Sequence, residues 1–487
     1  MKQQSIYICF LLFVLYSCHY SKENQEKKTI TITGKIVDFQ SENNEVRIFS
    51  PKLCIEDKIE TLILDSLGQF TYSFKNNTPS DFRIIANQAT FSIITHPGDN
   101  IHVEFECGKS DFWNTISVSG DRRTENHLII NFQKYISSNS FDRNHIEEAR
   151  DKMSAPLFIL FMDSVQTESI RLCEIFTKEH HPSSEIESWM KWYASKLYFY
   201  YMYWFPIYRR DIEIGKDFYR FQEKLLPINK GMIAATLNLN LFIPEYFEGS
   251  LKPKIIEENS ELLNHFEDND PRTDSIFIDG IIKHSTGEFT KELVLSYWLS
   301  SKINTGNLKP YEKFKSTNEH EISTFFLKEN LDELYYSVKS KIENPAKSIV
   351  LADTIGDLSI KNILDTILRT NRNKVIVIDC WGTYCSPCIE AFPKMKQMFN
   401  ICKGQNIEFV YFCLNGIAYF ERWQNLVKIH ELSGIHYCLD RKQSDDLKEI
   451  LHFNGIPHYA IFDKSGKIIK DGYFDFREND LIELINE

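Results

Sequence analysis

Between residues 29 and 108 apolar and polar positions alternate. TITITGKIVDF, FTYSF (70–74) and NIHVEFE (100–106) each set every second side chain on one face, and Ile101, Val103 and Phe105 share such a face. A period of two belongs to half-buried strands. The stretches Asp65-Ser66-Leu67-Gly68 and His96-Pro97-Gly98-Asp99 carry turn residues between these runs. A small all-β domain, an antiparallel sandwich, is therefore expected over 29–121. From 122 to 345 the spacing becomes helical and glycines are few, as in ELVLSYWLSSKI and FFLKENLDELYYSVKSKI, which predicts an all-α domain. Past Asn344-Pro345 strands and helices alternate. VIVID (375–379) reads as a strand buried on both faces, CIEAFPKMKQMFNIC as a helix with Pro393 inside it, NIEFVYFCLN as a strand, FERWQNLVKIHEL as a helix and IHYCL as a short strand. SDDLKEILHF reads as a helix, GIPHYAIFDKSGKIIKDGYF as two strands about a Lys-Ser-Gly turn, and LIELINE as a closing helix. An α/β domain is expected over 346–487. No internal repeat of fixed period is present.

The chain has 487 residues, which leads to an expectation of about three domains. Its formal net charge of −12 and the absence of any Lys/Arg-rich run argue against a nucleic-acid partner. The start is more informative. Lys2 precedes an apolar stretch from Ile6 to Tyr16, and small Ser17 stands directly before Cys18. Residues 1–17 read as a signal peptide, too short for a comfortable membrane span. Leu15-Tyr16-Ser17-Cys18 resembles the bacterial lipobox, in which the cysteine is acylated and becomes the mature N-terminus. Tyr16 departs from the small or β-branched residue usual there. The polar stretch 18–28 then reads as a lipidated tether, with plain secretion or an uncleaved anchor as the other readings. The aromatic-dense run WMKWYASKLYFYYMYWFPIY (189–208) is interrupted by Lys191 and Lys196 and ended by Pro206, so it is expected as a buried helix.

Eleven cysteines are present. With Cys9 in the leader and Cys18 lipidated, an odd number remains at irregular spacing, which is no disulfide scaffold. A Cys54–Cys107 bridge is one reading for the β-rich part. The one regular pair is Cys385 and Cys388 in WGTYCSPC. A zinc ribbon would need a second such pair, and Cys402, Cys413 and Cys438 stand singly. A haem anchor needs His after the second cysteine, where Ile389 stands. A peroxidase would want Thr three residues before its reactive cysteine, but Gly382 is there and Thr383 is one too late. A dithiol redox pair suits a strand feeding a helix. Cys385 then lies at the helix N-terminus, where unpaired N–H groups favour a thiolate, and Cys388 is near enough to resolve a mixed disulfide. Asp379, at the end of the buried strand, is placed to move a proton to or from Cys388. The plainer reading is a strand-end acid facing water, and the other is a buried acid with a raised pKa. The remaining cysteines are read as small buried hydrophobes.

VIVIDCWGTYCSPC, followed by Gly455-Ile456-Pro457 and YAIFDKSGKII, resembles the thioredoxin superfamily and within it the TlpA-like, membrane-tethered thiol–disulfide oxidoreductases. The resemblance covers about 346–487. It implies a thioredoxin-like fold, a redox-active Cys385–Cys388 disulfide with no separate cofactor or metal, and supporting positions at Asp379, Trp381, Pro387, Ile456 and Pro457. Pro457 would follow a cis bond beside the CxxC, with Ile456 presenting its backbone to substrate. The β-rich front resembles a domain often found ahead of thioredoxin domains in gut-bacterial lipoproteins. Tyr384 replaces the tryptophan usual before the first cysteine. Ala391 stands where many members have Glu, and Glu390, about 100° away around a helix, does not inherit that role. No lysine in FVYFCLN pairs with Asp379.

The expected protein is thus multidomain: an N-terminal β-sandwich, a central helical domain and a C-terminal thioredoxin-like α/β domain. Its expected activity is reduction of disulfides in exported proteins from a periplasm-facing lipid anchor in the outer membrane, recharged by an upstream thiol electron donor. Ser386-Pro387 places no histidine or cation beside Cys385, which favours a reductase over a strong oxidant. The alternative is a partner-binding lipoprotein whose thioredoxin fold is a scaffold without turnover.

Overall fold

The computed structural model describes residues 29–40, 44–109, 111–260, 271–352 and 358–473. The leader, Cys18, the tether up to residue 28 and the expected closing helix lie outside them. The chain divides into two compact units, one of Met1–Ser300 with Asn318–Leu331 and one of Ser301–Thr317 with Asp332–Glu487.

The first unit opens with eight strands: β1 (Thr29–Ile36), β2 (Glu45–Lys52), β3 (Glu56–Ile63), β4 (Gln69–Lys75), β5 (Ser80–Ala86), β6 (Ala89–Thr95), β7 (Asn100–Phe105) and β8 (Ser117–Gly120). They form two four-stranded sheets, ordered β4-β1-β7-β8 and β3-β2-β5-β6. Alternate side chains of both, such as Ile30, Ile32, Ile84, Phe91, Ile101 and Val103, share one hydrophobic cluster, as their period of two requires. The sheets are not wholly antiparallel as expected: β1 and β7 run parallel, Ile32 opposite Ile101. The chain visits the other sheet between these strands, and such a crossover allows the parallel sense that a hairpin forbids. Cys54 and Cys107 are separate free thiols, so the bridge considered between them is not formed.

Helices follow: α1 (Arg123–Asn139), α2 (Arg143–Lys152), α3 (Ala155–His180), α4 (Ser184–Tyr208), α5 (Thr236–Tyr246), α6 (Lys252–Glu258), α7 (Pro271–His284), α8 (Glu288–Asn304), α9 (Lys309–Thr317) and α10 (Phe325–Glu343). The aromatic run forms α4, which buries Trp189, Tyr198 and Phe205. Among the described residues no helix is long and apolar enough to cross a membrane.

Strand β6 is the last strand of its sheet and would leave backbone groups unpaired. Two amides on α1 replace the missing neighbour. Ser92 N–H donates to Gln133 Oε1 (2.8 Å) and Gln133 Nε2 donates to Ser92 O (2.7 Å). Ile94 and Asn126 repeat the arrangement at 2.8 and 3.0 Å. Seven residues are two helical turns and two residues are one strand repeat, so the amides meet matching groups. Gln133→Leu keeps most of the volume but strands a buried donor and acceptor. It is expected to cost about 2–4 kcal/mol in urea unfolding of the full chain, against little for an exposed control such as Gln397→Leu.

The second unit is built on a six-stranded sheet ordered β14-β13-β10-β11-β12-β9. Its elements are β9 (Ile349–Leu351), α11 (Ile360–Thr370), β10 (Val375–Trp381), α12 (Ser386–Ile401), β11 (Ile407–Cys413), α13 (Phe420–Ile429), β12 (Gly434–Cys438), α14 (Arg441–Ile450), β13 (His458–Phe462) and β14 (Ile468–Gly472). β10 is buried along its whole length. Val375, Val377 and Trp381 face a core shared with α12 and α13, while Ile376, Ile378 and Cys380 face one shared with α11 and α14. Strands β10, β11, β12 and β9 are mutually parallel, and β13 runs antiparallel to β10.

The helical segments 301–317 and 332–345 belong to this unit, although the sequence pattern placed them in the helical domain. Asn425 Nδ2 of α13 donates to Gly306 O (3.0 Å), and Lys341 Nζ of α10 donates to Ile429 O (3.2 Å). Helical periodicity names a helix without naming the core it joins.

Candidate functional site

The site grows from the end of β10. Because successive strand residues alternate, Asp379 shares its face with Val377 and Trp381, toward α12. It is 2 % exposed and lies in register with Tyr411 on β11 and Tyr459 on β13. Its Oδ1 has no hydrogen-bond partner among the described residues, and burial alone pushes its carboxyl up to about 8. Of the two readings of this acid, facing water or buried with a raised pKa, the structure has the buried one.

After Trp381 the chain turns through Gly382, Thr383 and Tyr384 into α12. Cys385 is the N-cap of that helix and Pro387 stands in its first turn, where a missing N–H costs nothing. The Cys388 N–H donates to Cys385 Sγ (3.3 Å), and Ile389 N–H donates to Cys385 O (3.1 Å). Cys385 and Cys388 are joined as a disulfide with a Cα–Cα distance of 5.3 Å. Cys385 is 7 % exposed and Cys388 2 %. The Cys388 amide at the helix N-terminus therefore points at the sulfur of Cys385, the more accessible residue of the two, which is the condition that favours its thiolate once reduced.

Ile456–Pro457 is a cis peptide bond. It leads into β13, whose His458 lies opposite Cys380, so it reaches the end of the sheet that carries the CxxC. The Ile456 side chain lies over the loop: a Cβ built on Gly382 would sit 3.1 Å from Ile456 Cδ1. Trp381 is fully buried and packs edge-to-face on Phe392 of α12 at 5.0 Å. Every residue singled out in this part of the sequence is thus present at one end of the sheet. Glu390 is exposed on α12. Tyr411 and His436, stacked at 4.4 Å beside Asp379's strand, carried no role in the sequence reading. Burial drives His436 down to about 3, so it is a neutral ring whose Nε2 lies 2.8 Å from Leu432 O. Their period-two placement on β11 and β12 was the available signal. Among the described residues no cluster of three or more His, Cys, Asp or Glu side chains could hold a metal.

Residues 373–468 match the family model described as thioredoxin-like. A thiol-disulfide oxidoreductase ResA of Geobacillus thermodenitrificans is 22 % identical over 139 residues, covering 28 % of this chain and 77 % of the relative. Its counterpart in Geobacillus kaustophilus is 20 % identical over 135 residues, covering 27 % and 75 %. Residues 373–468 thus carry a thioredoxin-like domain, similar in sequence to these thiol-disulfide oxidoreductases. Among solved structures, the thioredoxin domain of a thiol-disulfide oxidoreductase from Bacteroides vulgatus is 21 % identical, covering 24 % of this chain and 81 % of that one, with a TM-score of 0.22. The match runs from just before β10 to the start of β14, and β9 and α11 lie outside it. So do the β sheets and helices ahead of them.

Proposed function

We propose that the protein is a lipid-anchored thiol–disulfide oxidoreductase that reduces disulfides of exported proteins. The observation that carries the reading is the Cys385–Cys388 disulfide at the N-terminus of α12, in a thioredoxin-like domain. In the reduced enzyme the Cys385 thiolate attacks a substrate disulfide. One substrate sulfur leaves as a thiolate and Cys385 is held in a mixed disulfide. Cys388, its proton taken up by Asp379, attacks Cys385 Sγ. The second substrate thiol leaves and the Cys385–Cys388 disulfide forms. Two electrons have passed to substrate, and an upstream thiol donor restores the dithiol. Supporting the direction, Ser386 and Pro387 place no cation between the cysteines, so the potential is expected nearer thioredoxin's (about −270 mV) than that of the oxidant DsbA (about −120 mV). The β-rich front is read as a sandwich, since both sheets feed one core.

The test is disulfide turnover by the full-length protein, together with timed alkylation of its dithiol form. Cys385 is expected to react with iodoacetamide well before Cys388, because it caps the helix and is the more exposed of the two. Equal rates would refute the assignment of roles. A folded protein that reduces no disulfide, while still capturing partners, would make it a binding protein on a thioredoxin scaffold.

The anchor rests on the apolar run ending in Leu15-Tyr16-Ser17-Cys18. Cys18→Ser is expected to move the protein from the membrane pellet to the soluble fraction, and mass spectrometry should find an acylated Cys18 in the wild type. A wild-type chain with an unmodified N-terminus beyond residue 18 would exclude the anchor.

A further inference from the structure

Two of the thiols outside the CxxC stand side by side. Cys413 ends β11 and Cys438 ends β12, and the two are register partners on these parallel neighbours. Both are buried in the layer that also holds Cys385 and Cys388, and neither is bonded. Neighbouring strands run about 4.8 Å apart, within the roughly 4.4–6.8 Å that a disulfide spans between Cα atoms. The sulfurs are close as well. A Cβ built on Gly416 would lie 2.7 Å from Cys438 Sγ and 2.9 Å from Cys413 Sγ, which bounds their separation below 6 Å. The loop after β11 thus passes directly over both sulfurs, and only glycine leaves them room. The CxxC loop touches the same pair, since the Thr383 amide donates to the Cys413 sulfur.

Register partners on parallel strands share a face whatever they are; what filling alone would not require is that both be cysteines, with their sulfurs under one glycine. We propose that Cys413 and Cys438 are a second dithiol–disulfide couple, formed behind the CxxC loop by exchange with a small-molecule disulfide admitted when the loop at Gly416 lifts. One cysteine, as thiolate, attacks the small disulfide, whose S–S bond breaks and releases one thiol. The other, as thiolate, attacks the mixed disulfide so formed. A Cys413–Cys438 bond results and the second small thiol leaves. Both S–H protons go to solvent and on to the released thiolates, and two electrons pass to the small disulfide. Burial raises both thiols, Cys438 up to about 12, so exchange waits on the loop and is slower than at Cys385. Oxidation turns the sulfur that accepts from Thr383 into a disulfide sulfur, a weaker acceptor, two residues from the attacking cysteine.

The inference needs only the strand register and stands apart from the reductase reading, so its test removes the CxxC. Full-length Cys385→Ser/Cys388→Ser protein is incubated with oxidised glutathione, quenched with N-ethylmaleimide and digested. The expected product is a peptide pair linked through Cys413 and Cys438, lighter by two hydrogens. It should form in most molecules at the rate at which amides of 414–419 exchange with deuterium, and revert with dithiothreitol. Wild-type protein, treated alike, should give the same link after Cys385–Cys388 is complete, which guards against a misfolded variant. If both thiols remain alkylatable after those amides have exchanged many times over, or if Cys413 is found joined to Cys402, the proposal is wrong.

Discussion

Replacing Cys388 with alanine leaves the attacking sulfur intact and removes the one that releases it, so turnover is expected to fall about a thousandfold or more while covalent capture persists. The measurement is made in two parts. Insulin reduction by full-length Cys388→Ala should be lost, and non-reducing gels of cells expressing it should show adducts that dithiothreitol dissolves. Cys385→Ser should be equally inactive but form no adducts. The asymmetry follows from the site, in which Cys385 caps α12 with the Cys388 amide on its sulfur and Cys388 lies behind it at 2 % exposure. Adducts on Cys385→Ser, carried by Cys388, would reverse the order of attack and require the helix N-terminus to act on the inner sulfur.

The second large effect belongs to Asp379. Its folded pKa, about 8, lies above the unfolded carboxyl value near 3.9. Between these values the unfolded chain gives up a proton that the folded chain keeps, so stability falls as pH rises from about 4 to about 8 and is level outside that window. At pH 7 the buried acid costs on the order of 4 kcal/mol, and Asp379→Asn is expected to recover roughly 2–4 kcal/mol there and nothing at pH 4, read by urea unfolding at both pH values. Activity should move the other way. The ionised carboxylate is the proposed acceptor of the Cys388 proton, so the wild-type rate should climb through pH 8. The variant should lack that limb and be about tenfold to a hundredfold slower above it. A variant that is stabilised but keeps the wild-type pH profile would leave Asp379 as a buried acid with no part in proton transfer.

Much of the site was readable because its parts are local. VIVID as an unbroken apolar run, Cys-Ser-Pro-Cys at a helix start and Pro457 ahead of a strand each lie within a few residues, and the sheet then gathers them at one end. Which of its two readings Asp379 takes was not readable. Whether a strand-end acid meets water depends on Tyr411 and Tyr459, which flank it from strands about 30 and 80 residues further along the chain. Strand β9 was missed because three half-exposed residues carry no period. Helix α11 had a visible signal in Ser359 and an apolar stripe from Ile360 to Ile367, but it sits between the helical stretch and the first strong strand and was passed over. The parallel pairing of β1 with β7 had no local signal, since alternation fixes a strand's face and not its neighbour.

The cover that Asn126 and Gln133 place on β6 bears on how the protein behaves when concentrated. An open strand is a template on which a second chain can add its own, and each addition presents a fresh edge for the next. Here the backbone positions such growth would need first are already occupied by side chains of the same polypeptide. Docking of α1, rather than any sheet residue, therefore stands between the folded chain and strand-by-strand polymerisation from this side.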